Sequence, residues 1–193
     1  MSKIFTSYEH VNTAYNKVRM ELWNLGVLWD GSKLEQVPCI YDPISPVAAL
    51  SGTMGWYDEN SKDITFPSVY LPIAALWCDL GVKANALDVF RHEFAHALAH
   101  RYPGALRDSD LFLRAFGGPY GKRPARGTDP DDWEDRCVTA YAATRTQEDF
   151  AETFMLFVKH KGKIPAKSAK KLAIRKKWKA VAEIVKRVAK AKR

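Results

Sequence analysis

The sequence predicts an α+β fold with a small twisted sheet toward the N-terminus and a helical C-terminal half. Three observations carry this: a helical apolar period over residues 7–25, a series of short β-like runs between residues 27 and 69, and long helical patterns from residue 85 onward. With 193 residues and 47% apolar content, the chain can bury one sizeable core but is short for two. One domain is therefore expected, with residues 1–158 as its body and residues 159–193 as a basic amphipathic helix packed on the same body.

In the first helix Val11, Ala14, Tyr15, Val18, Leu22 and Leu25 share one face, with Ser7 as a candidate N-cap and Gly26 as the stop. Val27–Trp29, Cys39–Tyr41, Met54–Tyr57 and Ile64–Phe66 then read as short strands, separated by Asp-Gly, Pro and Asp-Glu-Asn-Ser clusters. The last two are expected to form an edge hairpin over Glu59-Asn60-Ser61. A helix is expected over Leu71–Leu80, stopped by Gly81, and another from Asn85 or Ala86 through His100, ended by Arg101-Tyr102-Pro103-Gly104.

Asp108–Phe116 reads as a further helix, and residues 117–132, rich in Gly, Pro and charge, as a surface loop. A loop of that length inside a compact domain is often functional. Trp133–Ala140 reads as helical. Thr144 or Thr146 can then cap a new helix, because Thr144-x-x-Gln147 and Thr146-x-x-Asp149 both fit a capping box. Ile174, Trp178, Val181, Val185 and Val188 place an apolar stripe on the last, Lys/Arg-rich helix.

Composition narrows the classes. No basic segment followed by an apolar stretch opens the chain, and the longest apolar run, Phe66–Cys78, is broken by Pro67 and Pro72, well short of the roughly 20 residues of a membrane span. A cytoplasmic protein is expected. Cys39, Cys78 and Cys137 are odd in number and widely spaced, which fits three small buried side chains better than a disulfide framework or a cysteine metal site. The net charge of +8 divides unevenly: residues 1–158 carry 15 Lys+Arg against 21 Asp+Glu, and residues 159–193 carry 15 against Glu183 alone. A nucleic-acid partner is thus an expectation for the tail only, where it competes with simple packing of the final helix.

The strongest chemical signal is His92-Glu93-Phe94-Ala95-His96. Two histidines four residues apart on a helix present both imidazoles to one metal ion, and Glu93 projects beside it, where it can take a proton from water. A catalytic Zn2+ of this kind needs a third protein ligand and leaves the fourth position open. His100 lies two turns from His92, about 12 Å along the axis, too far to share its metal. Glu148 and Glu152 sit one turn apart on a later helix, so one can reach the metal and the other can orient a ligand histidine. Asp149 between them reads as a first-turn carboxylate facing the helix dipole.

Tyr141, Glu148-Asp149-Phe150-Ala151-Glu152 and nearby Phe154, together with the two-histidine motif, resemble the gluzincin-type bacterial zinc-binding metallopeptidases, relatives of the catalytic domain of anthrax lethal factor. The resemblance covers roughly residues 50–190 and leaves the loop at 117–132 unmatched. It implies a zincin-like fold with an active-site helix, His92, His96 and Glu148 as metal ligands, Glu152 as their support, Glu93 as general base and Tyr141 as oxyanion donor. The implied activity is peptide hydrolysis on a peptide or protein substrate. It also implies that substrate lies along an edge strand, for which Leu50–Tyr57 is placed, with Gly52 and Gly55 either admitting the substrate backbone or serving as ordinary hairpin glycines.

Overall fold

The computed structural model describes residues 8–42, 55–67, 85–123 and 133–192. Their elements are helix α1 (Tyr8–Asn24), strands β1 (Cys39–Asp42), β2 (Trp56–Tyr57) and β3 (Ile64–Pro67), and helices α2 (Ala86–Arg101) and α3 (Asp110–Phe116). Then come α4 (Trp133–Arg136), α5 (Thr146–Lys159), α6 (Ala166–Ala169) and α7 (Leu172–Lys190), with 3-10 turns at Pro103–Ala105 and Tyr141–Ala143. The fold is a mixed α+β structure in which helix predominates. The expected helix at Leu71–Leu80, Gly52, Cys78 and the distal part of the 117–132 loop lie outside the described residues.

The sheet has the order β1-β3-β2. β1 runs parallel to β3 with Cys39 opposite Ile64, and β2 runs antiparallel to β3 with Trp56 opposite Thr65. The hairpin over Glu59-Asn60-Ser61 forms as its turn residues require: the Asp58 carboxylate accepts from the Asn60 and Ser61 N–H groups. Val27–Trp29, expected as a strand, is not one. The N–H groups of Val27 and Leu28 both turn back to the Leu22 carbonyl, so these residues close the end of α1 while their side chains enter the core.

α2 is surrounded: none of its residues is exposed. Its first turn is capped by Asn85, whose side chain accepts from the Asp88 N–H at 2.9 Å, and Pro103 follows its end. Phe90 and Phe94 pack against Tyr15 of α1, with ring centroids 5.5 and 5.8 Å apart, and Phe90 meets Phe66 of β3 at 4.4 Å. Arg91 clamps α1 to α2 through two bonds to the Glu21 carboxylate, 2.7 and 2.8 Å long. Gly55, at the entry to β2, has the Val89 side chain 2.9 Å from where a Cβ would stand and Phe66 at 3.2 Å. Its missing side chain therefore lets the hairpin close onto α2.

On the other side of α2 lies α5, and on α5 lies α7. α7 buries Ile174, Trp178, Val181, Ile184, Val185 and Val188; Trp178 packs at a tilt against Phe157, with ring centroids 5.5 Å apart, and donates its indole N–H to the Gly162 carbonyl at 2.9 Å. Inside this apolar seam sits an ion pair. Asp149 of α5 meets Lys177 of α7 at 2.5 Å, with both side chains under one-tenth exposed. Asp149 stands in the first turn of α5, as expected, and is also the buried partner of the last helix.

Lys177 also donates to the Arg136 carbonyl at 2.6 Å, and Lys171 donates to the Glu134 carbonyl. These lysines occupy carbonyls that a longer α4 would use, and helix ends at Arg136 instead of reaching Ala140. Neither threonine caps α5. Thr144 donates to the Tyr141 carbonyl, Thr146 turns to the carbonyl of Pro119 at 2.7 Å, and Arg145 occupies the N-cap in an extended conformation without a capping side chain.

Lys177→Met would strand the Asp149 carboxylate in an apolar seam, and an unfolding midpoint in urea should report a loss of about 3–5 kcal/mol. The double variant Asp149→Leu with Lys177→Met removes both charges and should recover most of that loss.

Candidate metal centre

His92 and His96 point from α2 toward the first turn of α5, from which Glu148 projects back. The His92 Nε2 and His96 Nε2 atoms are 3.1 Å apart, and the Glu148 Oε2 atom lies 3.2 Å from the first and 3.5 Å from the second. Four donors placed tetrahedrally at zinc bond lengths stand about 3.3 Å from one another. The triangle of two imidazole nitrogens and one carboxylate oxygen matches one face of that tetrahedron, so the donor set fits Zn2+ in number, chemistry and spacing. All three side chains are largely buried, at 12%, 17% and 9% exposure.

Each donor is held by a second contact. His92 Nδ1 lies 2.7 Å from Glu152 Oε1, and the other Glu152 oxygen accepts from the Thr139 hydroxyl at 2.9 Å. That hydroxyl in turn accepts from the Ala142 N–H at 3.1 Å, which ties the support of His92 to the 3-10 turn carrying Tyr141. Glu148 accepts from the Gln147 amide at 2.8 Å. His96 Nδ1 lies 2.9 Å from the Tyr120 hydroxyl. Orienting contacts of this kind set the tautomer, leaving Nε2 as the free donor atom.

Burial by itself would lower the His92 pKa, but the hydrogen bonds to Glu148 and Glu152 outweigh it and raise it to about 10. Burial would likewise raise Glu148, yet His92, His96 and Gln147 hold it well below the usual carboxylate range.

Glu93 is buried behind the triangle. Its Oε2 accepts the Tyr57 N–H at 2.8 Å, and burial pushes its carboxyl pKa upward against the pull of His96 and His92. That backbone bond fixes the carboxylate against β2. Tyr141 lies half exposed, its ring centroid 5.9 Å from that of His92 and its hydroxyl on the side of the Glu148 carboxylate. Burial and the neighbouring Glu148 charge raise its pKa, so the phenol keeps its proton and remains a donor at neutral pH. His100 stands apart, its Nδ1 2.8 Å from the Tyr57 hydroxyl.

Three contributors were not singled out from sequence: Tyr120, Thr139 and Gln147. Tyr120 belongs to the loop at 117–132, and Thr146 anchors that loop by bonding the carbonyls on either side of Tyr120, at Pro119 and Lys122. The ring packs against Phe112 at 5.5 Å and under the Arg107 guanidinium at 5.1 Å. The proximity of Tyr120 to His96 arises from contacts 24 positions apart, and no local period signals it.

Residues 85–191 match the family described as "putative zinc-binding metallo-peptidase". The chain is also 38% identical over 72 residues to an uncharacterized protein of Mycobacterium bovis and to uncharacterized proteins of two Mycobacterium tuberculosis strains, a stretch that covers 34% of this chain and 21% of each relative. The chain thus spans about a fifth of the length of these curated relatives. No solved structure gives a significant match. No described helix is long and apolar enough to cross a membrane.

Tyr120→Phe leaves His96 Nδ1 without its partner and should weaken zinc binding about 10–100-fold. Competition with a chromophoric chelator would read this directly, and an unchanged affinity would remove Tyr120 from the metal's support.

Proposed function

This chain belongs to the family described as "putative zinc-binding metallo-peptidase", whose model spans residues 85–191, and on that basis we propose that it is a zinc-dependent endopeptidase. The observation that carries the reading is the triangle of His92, His96 and Glu148 donor atoms, with edges of 3.1–3.5 Å, beside a buried carboxylate held by backbone. His92, His96 and Glu148 are the metal ligands and Glu152 is the support of His92, as in the gluzincins the sequence resembles. Zn2+ held there would lower the pKa of a water toward 7 and would polarise the substrate carbonyl as a Lewis acid.

Glu93 acts as general base. One of its oxygens is committed to the Tyr57 N–H, which leaves the other to take a proton from the attacking water and pass it to the leaving amine. A carboxyl lifted by burial suits that shuttle, since its pKa lies closer to the working pH. Tyr141, a neutral phenol at the open side of the triangle, donates to the oxyanion as the carbonyl becomes tetrahedral. The substrate backbone runs along the outer edge of β2, which places its scissile bond near Glu93.

Zinc-loaded protein should cleave members of a mixed peptide library and lose that activity to a chelator. Glu93→Gln should retain one equivalent of zinc and lose turnover; a fully active Gln variant would sink the assignment of the base. Tyr141→Phe should lower kcat by about 10²–10³ with little change in KM, the mark of a contact made in the transition state. Zinc-loaded protein that cleaves no peptide would overturn the peptidase reading itself.

A further inference from the structure

The outward face of α7 has no role in the metal centre. Arg175, Lys176, Lys179, Lys186, Arg187 and Lys190 are all exposed. At 100° per residue they fall within an arc of about 120°, over about 22 Å of helix. Glu183 is the only acid on this arc, and it pairs with Arg187 at 3.4 Å. Among the described residues, no carboxylate pairs with Arg175, Lys176, Lys179, Lys186 or Lys190.

The ridge widens at one side. The Trp178 bond to the Gly162 carbonyl holds the turn Lys161-Gly162-Lys163 against α7, and both lysines are exposed. Lys161 adopts a φ of 52°, a left-handed conformation that glycine would take at lower cost.

We propose that this ridge is a binding surface for the phosphodiester backbone of duplex nucleic acid. The charges share one face of a helix pinned by its core, so that face is in place before any partner arrives, as backbone recognition favours. An anionic bilayer is the poorer partner. A helix that lies in a membrane interface inserts its apolar face, and here Ile174, Trp178, Val181, Ile184, Val185 and Val188 are already buried against the protein. The remaining chain is acidic, 15 Lys+Arg against 21 Asp+Glu over residues 1–158, and so orients the ridge toward a polyanion and the rest away from it. Binding is independent of peptide hydrolysis: Glu148 faces α2 whereas Asp149, its neighbour, faces α7.

Anisotropy of the full chain with a labelled DNA duplex of about 20 base pairs tests this. About six phosphate contacts give a slope of log K against log salt near −5, or about 10³-fold weaker binding at 200 mM than at 50 mM salt. Combining Lys179→Glu, Lys186→Glu and Lys190→Glu alters exposed side chains only; it should leave the unfolding midpoint in place and at least halve the slope. Glu93→Gln should bind the duplex like the parent chain. No binding at 50 mM salt, a slope untouched by the charge reversals, or capture by phosphatidylserine vesicles without capture by the duplex would each overturn the proposal.

Discussion

The convergence of one carboxylate from α5 with two imidazoles from α2, all within 3.5 Å, is the constraint that the rest of the structure serves. Side chains from two helices hold that geometry only if the helices cannot slide. The α2 side is fixed by the aromatic contacts of Phe90 and Phe94 with α1 and β3 and by the Arg91–Glu21 clamp. On the α5 side the work falls to Phe150 and Phe154, both fully buried, and to Lys159, which reaches across to Asp88 at 2.7 Å. A pair of helices joined only by dispersion forces could pack in neighbouring registers; charged contacts at both ends of the pair select one.

Polar groups this deeply buried need partners, and the partners carry the constraint outward. His92 leads to Glu152, Thr139 and the backbone of Ala142; His96 leads to Tyr120. Lys177 links Asp149, one residue from a proposed ligand, to the Arg136 carbonyl ahead of the Tyr141 segment. The last helix therefore does more than cover apolar surface. Its inner face braces two of the elements from which the centre is built, and its outer face is free for other contacts.

Much of this was legible locally. The spacing of His92 and His96 demands a helix whose two imidazoles share a face, and Asn85 and Pro103 mark where that helix begins and ends. The stripe of Ile174, Trp178, Val181, Val185 and Val188 likewise states which face of α7 is buried. Local reading misled where a residue's local option was overridden by a distant partner. Thr146 has the sequence of a capping residue but bonds Pro119, and the helix expected through Ala140 stops where Lys171 and Lys177 take its carbonyls. Val27 and Leu28 look like strand residues, but their N–H groups finish α1.

By itself, then, the sequence determined that α1, α2, α3, α5 and α7 form and which of their faces carry histidine, carboxylate or lysine, because a period of 3.6 residues is a property of the chain alone. Only the tertiary structure decided that Glu148 turns to the imidazoles while Asp149 turns to Lys177, and that Tyr120 reaches His96. Adjacent positions on a helix face directions about 100° apart, and what lies in each direction is settled by packing across long chain separations, which no local pattern encodes.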